Sequence, residues 1–271
     1  AVGAPNDSTV GTNRGAMYLF SGLSTLGSKV DSPNGATFAN NPDSTSYITP
    51  AIITSLLDAG TAVTLQANND ITVLSPVLSS SDMRSPFTLQ AGRNINFQAN
   101  VRTPYGDLTA VAGDPAATAQ YRDPGVPTIT IASGVTLNVL TGTATLAAIG
   151  GNIINNAGDS AISVINGFGR WLIYAADPAT STEGFSGYNK HYDQSYASGD
   201  TPGYAATGNW FLYSLAPVLS VTPSNDSITY GNTPGFDPGL AGFIDGDTAN
   251  SAGIGGSATW TVAGATSSSG N

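Results

Sequence analysis

The stretch AVTLQANNDITVLSPV, residues 62–77, is written again as PFTLQAGRNINFQANV, residues 86–101. Val63 corresponds to Phe87, Leu65 to Leu89, Gln66 and Ala67 to Gln90 and Ala91, Ile71 to Ile95 and Val73 to Phe97, each pair 24 positions apart. A weaker third copy, GDLTAVAGD at 106–114, places Leu108 21 positions after Phe87. Apolar and polar residues alternate within each copy, the period of a strand with one buried face. Many short strands suit antiparallel sandwiches and barrels or a parallel β-helix. The repeat decides between them, because in a β-helix each coil lies on the one before and like stacks on like. One coil cannot bury its own apolar face, so the sentence is written twice. The expected fold is all-β, a parallel β-helix.

Further alternating runs extend the pattern: TITIA, VTLNVL, TATLAAI and AISVI carry it to about residue 165. Residues 115–127, PAATAQYRDPGVP, read as an excursion from the coil. Asn68/Asn69 and Gly92/Arg93 fall at corners, where left-handed backbone is expected. Asn152, Asn155 and Asn156 are expected to stack as an Asn ladder. The one clear helix is TPAIITSLLDAG, expected over 49–59, with Pro50 in the first turn and Gly60 as the stop.

Composition narrows the function classes. Of 271 residues only 10% are charged while 40% are hydrophobic, so Ser, Thr, Asn, Gln and Gly must supply the polar surface. The balance is acidic, with 8 Lys and Arg against 18 Asp and Glu. Eight scattered cations cannot form the basic face that nucleic-acid binding needs. No apolar run reaches the length of a membrane span, so no membrane insertion is expected. The chain has no cysteine, which, with low charge and high polarity, suits a secreted protein that crosses membranes unfolded. It starts AVGAPNDS and stops at SSSGN, and reads as a segment of something longer.

Past residue 168 the texture changes. FGRWLIYAADP…GNWFLYSLAP holds Trp171 to Tyr174 and Trp210 to Tyr213, apolar clusters suited to plugging the open end of a β-helix. Between them Tyr188, Tyr192 and Tyr196 recur every fourth residue, followed by Tyr204 and Trp210. An exposed row of such rings can stack on sugars or bind proteins. After Pro217 comes a small Gly-rich β module, β-sandwich-like, with Pro/Gly turns.

Three resemblances cover most of the chain. The ANNDITV and AGRNINF rungs, preceded by LDAGTAVTLQA, resemble filamentous-haemagglutinin-type adhesins of bacterial two-partner secretion. That resemblance implies a right-handed parallel β-helix secreted to the cell surface. ITYGNTPGFDPGLAGFIDGDTANSAGIGGSATWTV is similar to the MBG module of large repetitive surface proteins, and AVGAPNDSTVGTNRGAMYLFSG resembles the end of an FG-GAP repeat without its Asp-rich calcium loop. The expected organisation is an FG-GAP-like fragment over 1–28, the β-helix over 29–167, a Trp/Tyr-rich cap over 168–216 and a truncated MBG-like module over 217–271.

Chemistry is sparse. Glu183 is the single Glu, Asp70, Asp82 and Asp107 lie scattered over the first coils, and nothing in the sequence pairs Arg93 or Arg102 with a carboxylate. His191 is alone. A β-helical polysaccharide hydrolase or lyase, which would need two converging carboxylates, is therefore the weaker reading. Asp245 and Asp247 in IDGDT are the weak calcium candidates, more simply a turn, and no cofactor is expected. The leading expectation is a non-enzymatic, extracellular structural or adhesive segment, with a carbohydrate-binding module using Tyr188, Tyr192, Tyr196, Tyr204 and Trp210 as the alternative. The expected partners are flanking modules, further copies of the chain, or host and matrix glycans. A sharper expectation concerns Gly15, Ala16, Met17, Tyr18, Leu19 and Phe20: as a joining strand they would link copies head to tail into biofilm-type filaments.

Overall fold

A computed structural model of the protein describes residues 16–19, 36–40, 42–43, 45–223 and 238–250. The chain divides into two compact units between Leu215 and Ala216.

Unit 1 opens with β1 (Met17–Leu19) and β2 (Ser46–Ile48), then a helix α1 (Pro50–Asp58) with Pro50 at its first position. Gly60 follows at φ 85, the left-handed position that ends a helix. Three strands follow, β3 (Val63–Ala67), β4 (Ile71–Val73) and β5 (Val77–Leu78), and their repeat is β6 (Phe87–Ala91), β7 (Ile95–Phe97) and β8 (Val101–Arg102). The next rounds are β9 (Leu108–Ala112), β10 (Thr128–Ile131) and β11 (Leu137–Leu140), then β12 (Thr143–Ala148), β13 (Asn152–Asn155) and β14 (Ile162–Val164). The last elements are β15 (Arg170–Ala175), β16 (Asn189–His191) and β17 (Trp210–Tyr213).

These strands form three sheets, parallel throughout. One has the order β2-β1-β4-β7-β10-β13, the second β5-β8-β11-β14, and the longest β3-β6-β9-β12-β15-β17-β16. From β3 to β15 the chain visits the three sheets in strict rotation. The sequence repeat is the hydrogen-bonding register itself: Val63 lies beside Phe87, Leu65 beside Leu89, Ile71 beside Ile95 and Val73 beside Phe97. The weak third copy pairs the same way, Phe87 with Leu108 and Ala91 with Ala112.

Inward residues of every sheet meet in one core. Phe87, Leu89, Ala91, Ile95 and Phe97 are fully buried, as are Leu108, Ala110, Ala144, Leu146 and Ile173. Each large side chain taken from water contributes roughly 1.5–3 kcal/mol, and no coil has this shelter alone. On the outer side Gln66 donates to Gln90 at 2.8 Å and Gln90 to Asp114 at 2.9 Å, a side-chain ladder running from coil to coil.

The corners differ from expectation. Asn68, Asn69, Gly92 and Arg93 are not left-handed; the only non-glycine residues with positive φ among those described are Leu140, Asp193 and Asp245. Asn68 is there for its amide, which donates to the carbonyls of Phe38 (2.8 Å) and Pro42 (3.1 Å) and accepts from Thr118 N–H (2.8 Å). Gly92 is there for closeness, since a Cβ would sit 2.1 Å from the Asn68 carbonyl oxygen. Asn155 likewise bonds the backbone at Gly158, Ala157 and Glu183, and Asn152 accepts from Thr180, so the expected Asn ladder does not form.

Arg93, unpaired in the sequence reading, grips Asp70 in a two-bond fork at 2.9 and 2.6 Å, and Asp123 stands 3.7 Å away. Asp123 in turn accepts from Asn69 at 2.7 Å, and Arg122 donates to the Gly92 carbonyl at 3.1 Å. The excursion over 115–127 is thus strapped to the corner beneath it.

Both ends of the stack are covered. Helix α1 packs against β3 and β5, the terminal strands of two sheets, and buries Pro50, Ile53 and Leu57. Its C-terminal Asp58 accepts from Ser79 Oγ at 2.6 Å and from the N–H groups of Ser80 and Ser81, and the Ser79 hydroxyl holds its carboxyl below the usual range. At the far end the chain over 181–192 crosses the stack, paired at Thr182 with Ile154.

The expected joining strand is overturned where it is described. Met17, Tyr18 and Leu19 lie between Ser46–Ile48 on one side and Ile71–Val73 on the other, so both edges of β1 are spent within the chain. Two buried side chains, Met17 and Leu19, anchor it in the core. Gly15 and Phe20, and nearly all of the FG-GAP-like stretch, lie outside the described residues.

Unit 2 shows one antiparallel pair, β18 (Ser220–Pro223) with β19 (Pro238–Ala241). A turn over residues 244–247 follows β19, and residues 224–237 and 251–271 of the expected Gly-rich sandwich lie outside the described residues.

Close stacking makes one sharp prediction. A Cβ on Gly106 would fall 2.0 Å from the backbone oxygen of Ser85 in the coil before. Gly106→Ala should cost about 3 kcal/mol through overpacking, read by urea unfolding. A change near zero would contradict this corner geometry.

Candidate functional site

The aromatic segment meets the end of the long sheet, and strand alternation sorts its side chains onto two faces. In register, Leu172 lies beside Trp210, Ile173 beside Phe211, Tyr174 beside Leu212 and Ala175 beside Tyr213. Asn189, Lys190 and His191 then pair with Trp210, Phe211 and Leu212. Odd positions of β15 and β17 (Trp171, Ile173, Phe211, Tyr213) join the interior, while Leu172, Tyr174 and Leu212 form a separate cluster outside.

The expected tyrosine row is split by this rule. Tyr188 and Tyr192 pack inward with Phe185 against the core. Tyr188 meets Phe211 edge-on at 5.2 Å and tilts against Trp171 at 5.7 Å, and Tyr192 stacks on Tyr213 at 5.8 Å. Parity would carry Tyr196 inward as well. Asp193 prevents it: at φ 58 it turns the chain, its N–H bonding the Leu215 carbonyl, and Tyr196 emerges on the outer face edge-on to Tyr174 at 5.2 Å. Even spacing keeps one face only along an unbroken strand.

A polar centre unforeseen in the sequence sits within the inner plug. The Glu183 carboxylate accepts from the hydroxyls of Tyr188 and Tyr213, and Lys190 Nζ stands 3.0 Å from it. Tyr213 is fully buried, and Lys190 also lies 5.6 Å from the centre of the Tyr188 ring. The charges of Glu183 and Lys190 cancel, and the carboxylate spends its lone pairs on two phenols and an ammonium. Charge-assisted bonds of this kind fix a geometry. The one sequence signal was a lone Glu among aromatic residues.

The outer face carries the accessible rings. Tyr204 lies over His191 at 4.1 Å between centroids and meets Trp210 edge-on at 5.4 Å. Tyr204 is 41% exposed, while Trp210 is half-buried. The Tyr204 hydroxyl donates to Gln194 Oε1 at 2.8 Å, and Trp210 Nε1–H donates to the Thr207 carbonyl at 2.8 Å. Beneath, Ala205 is fully buried, and its carbonyl accepts from Arg170 Nη1 at 2.6 Å. These ties hold the loop to the sheet. Of the five rings expected to bind a ligand, the structure brings Tyr204 and Trp210 into one surface, adds His191, sets Tyr196 beside it, and turns Tyr188 and Tyr192 away.

Asp245 and Asp247 flank Gly246 in a turn in which Asp247 N–H bonds the Ile244 carbonyl at 3.0 Å. Among the described residues, no three His, Asp or Glu side chains gather as a metal site.

Buried or partly buried phenols make stability depend on alkaline pH: burial raises Tyr174, Tyr188, Tyr196 and Tyr204. Burial, with smaller contributions from neighbouring groups, pushes Tyr174 up to about 12, and burial followed by Glu183 pushes Tyr188 up to about 12. In the unfolded chain both ionise near 10. Below that value the phenols are neutral in both states and stability is whole. As pH rises from about 10 to 12 the unfolded chain loses protons first, so stability falls. Melting temperature should drop through this window, and Tyr188→Phe should lessen the drop. A flat profile would contradict the burial of these phenols.

Comparison with family models, with curated proteins and with solved structures finds no match to this chain.

Proposed function

We propose that the chain is a non-enzymatic structural and adhesive segment of a large secreted bacterial surface protein, and that unit 1 is a right-handed parallel β-helix. The observation that carries this is the in-register stacking of like on like through three parallel sheets visited in rotation. Handedness follows from the general preference of parallel crossovers, which are right-handed in about 98% of cases. Such a stack is a rigid element whose two covered ends stop it from adding strands indefinitely. Flanking modules of the same polypeptide are then its partners along the chain.

Support from composition is consistent: no cysteine to pair or protect, few charges, and a polar surface made of Ser, Thr, Asn and Gly. Attachment tests the adhesive half. Displayed on a non-adherent bacterium, the chain should confer binding to host cells or matrix-coated surfaces above that of an unrelated acidic β-domain of similar size. Equal attachment would leave a spacer and remove the adhesive role.

A further inference from the structure

We propose that the outer aromatic surface made by His191, Tyr204 and Trp210 binds a neutral, β-linked oligosaccharide by stacking on its sugar rings. The inference rests on the adhesive reading and deepens it by naming the ligand and the residues.

Three features favour a sugar. First, the rings are presented rather than merely exposed. Trp210 is set by β17, Tyr204 by its hydroxyl bond to Gln194 and the buried Ala205 beside it, and His191 by its place in β16. Rigid rings lose little entropy on binding, which is what weak flat ligands require. Second, the surface is bordered by amides: the Asn189 side chain is exposed, and its Nδ2 reaches the Asn209 carbonyl at a long 3.5 Å. With Gln194 and the imidazole of His191, donors and acceptors surround an apolar floor. A pyranose has the matching layout, C–H groups on its faces and hydroxyls around its rim. Chains joined through equatorial β-linkages leave a face open on each successive unit, so one unit can stack on Tyr204 and the next meet Trp210, whose ring stands at 63° to it.

Third, charge selects among glycans. Asp193 and Asp200 are exposed in the same loop, and the whole chain carries a net charge of −10. An anionic polymer would be repelled, so uncharged sugars fit. Tyr174 is buried beneath, and the half-buried Tyr196, edge-on to it at 5.2 Å, lies beside the platform.

The test uses the full chain with cellohexaose, chitohexaose and heparin as probes, following Trp fluorescence and calorimetry. Saturable binding of at least one neutral hexasaccharide, and none of heparin, is expected. Tyr204→Ala should weaken it at least about tenfold, the equivalent of ~1.4 kcal/mol, while Tyr204→Phe, which keeps the ring, should stay within about threefold. His191→Ala provides a second variant that leaves the sheet pairing of β16 intact. Absence of saturable binding by either hexasaccharide overturns the proposal, as does preference for heparin, or binding indifferent to both alanine variants. Attachment by the displayed chain separates the two readings: adhesion that survives Tyr204→Ala defeats this site and keeps the adhesive role, whereas no adhesion by the parent chain defeats the role itself.

Discussion

Phe211→Ala should destabilise the aromatic end of unit 1 by about 4 kcal/mol, the range for deleting a fully buried ring. The side chain has no exposed surface, and it lies within 6.1 Å, centroid to centroid, of Trp171, Phe185, Tyr188 and Tyr213. Removing it empties the centre of the plug and loosens the two strands, β15 and β16, that pair with β17. In a stack whose coils touch only their neighbours, damage stays local. Fluorescence of Trp171, in the plug, should therefore report an early transition in urea. Amide exchange in β3, β4, β6 and β7 should still follow the main one. A single transition shifted as a whole would mean that the end and the first coils fold as one unit.

Asn68→Ala should cost about 3 kcal/mol, because one buried amide satisfies three backbone groups. Phe38 and Pro42 would each lose a donor, and Thr118 N–H its acceptor. The strap over 115–127 loses a tether on the same corner, so a protease should cut it faster in the variant than in the parent. Asn68→Asp should be worse than alanine, since a carboxylate oxygen would then face two carbonyl oxygens. Equal stability of all three proteins, with unchanged cleavage, would contradict this account of the corner.

Much of the stacking was legible because parallel coils copy chemistry from one to the next. Val63 sits on Phe87 and Ile71 on Ile95, and both pairs are visible as a repeat. What escaped depends on partners that are not sequential. β1 inserts between β2 and β4, and β17 slips between β15 and β16, choices made by docking rather than by local pattern. Asn68 looks like a turn residue by type, and only the segments folded over it reveal an amide serving three backbone groups. The tyrosine row failed at a single residue, Asp193, whose left-handed turn breaks the extended chain before Tyr196. Glu183 carried no periodic signal at all.

The stacking of one coil on the next is the central claim, and the absence of native cysteine makes it directly testable. Thr64 and Thr88 are in-register neighbours on the outer side of β3 and β6, and parallel strands about 4.8 Å apart place them within disulfide reach. In the double variant Thr64→Cys/Thr88→Cys, mild oxidation followed by peptide mapping should yield one intramolecular disulfide in nearly every folded molecule. If the two thiols stay reduced, or join only between molecules, the coils are not stacked in this register and the account of the fold is wrong.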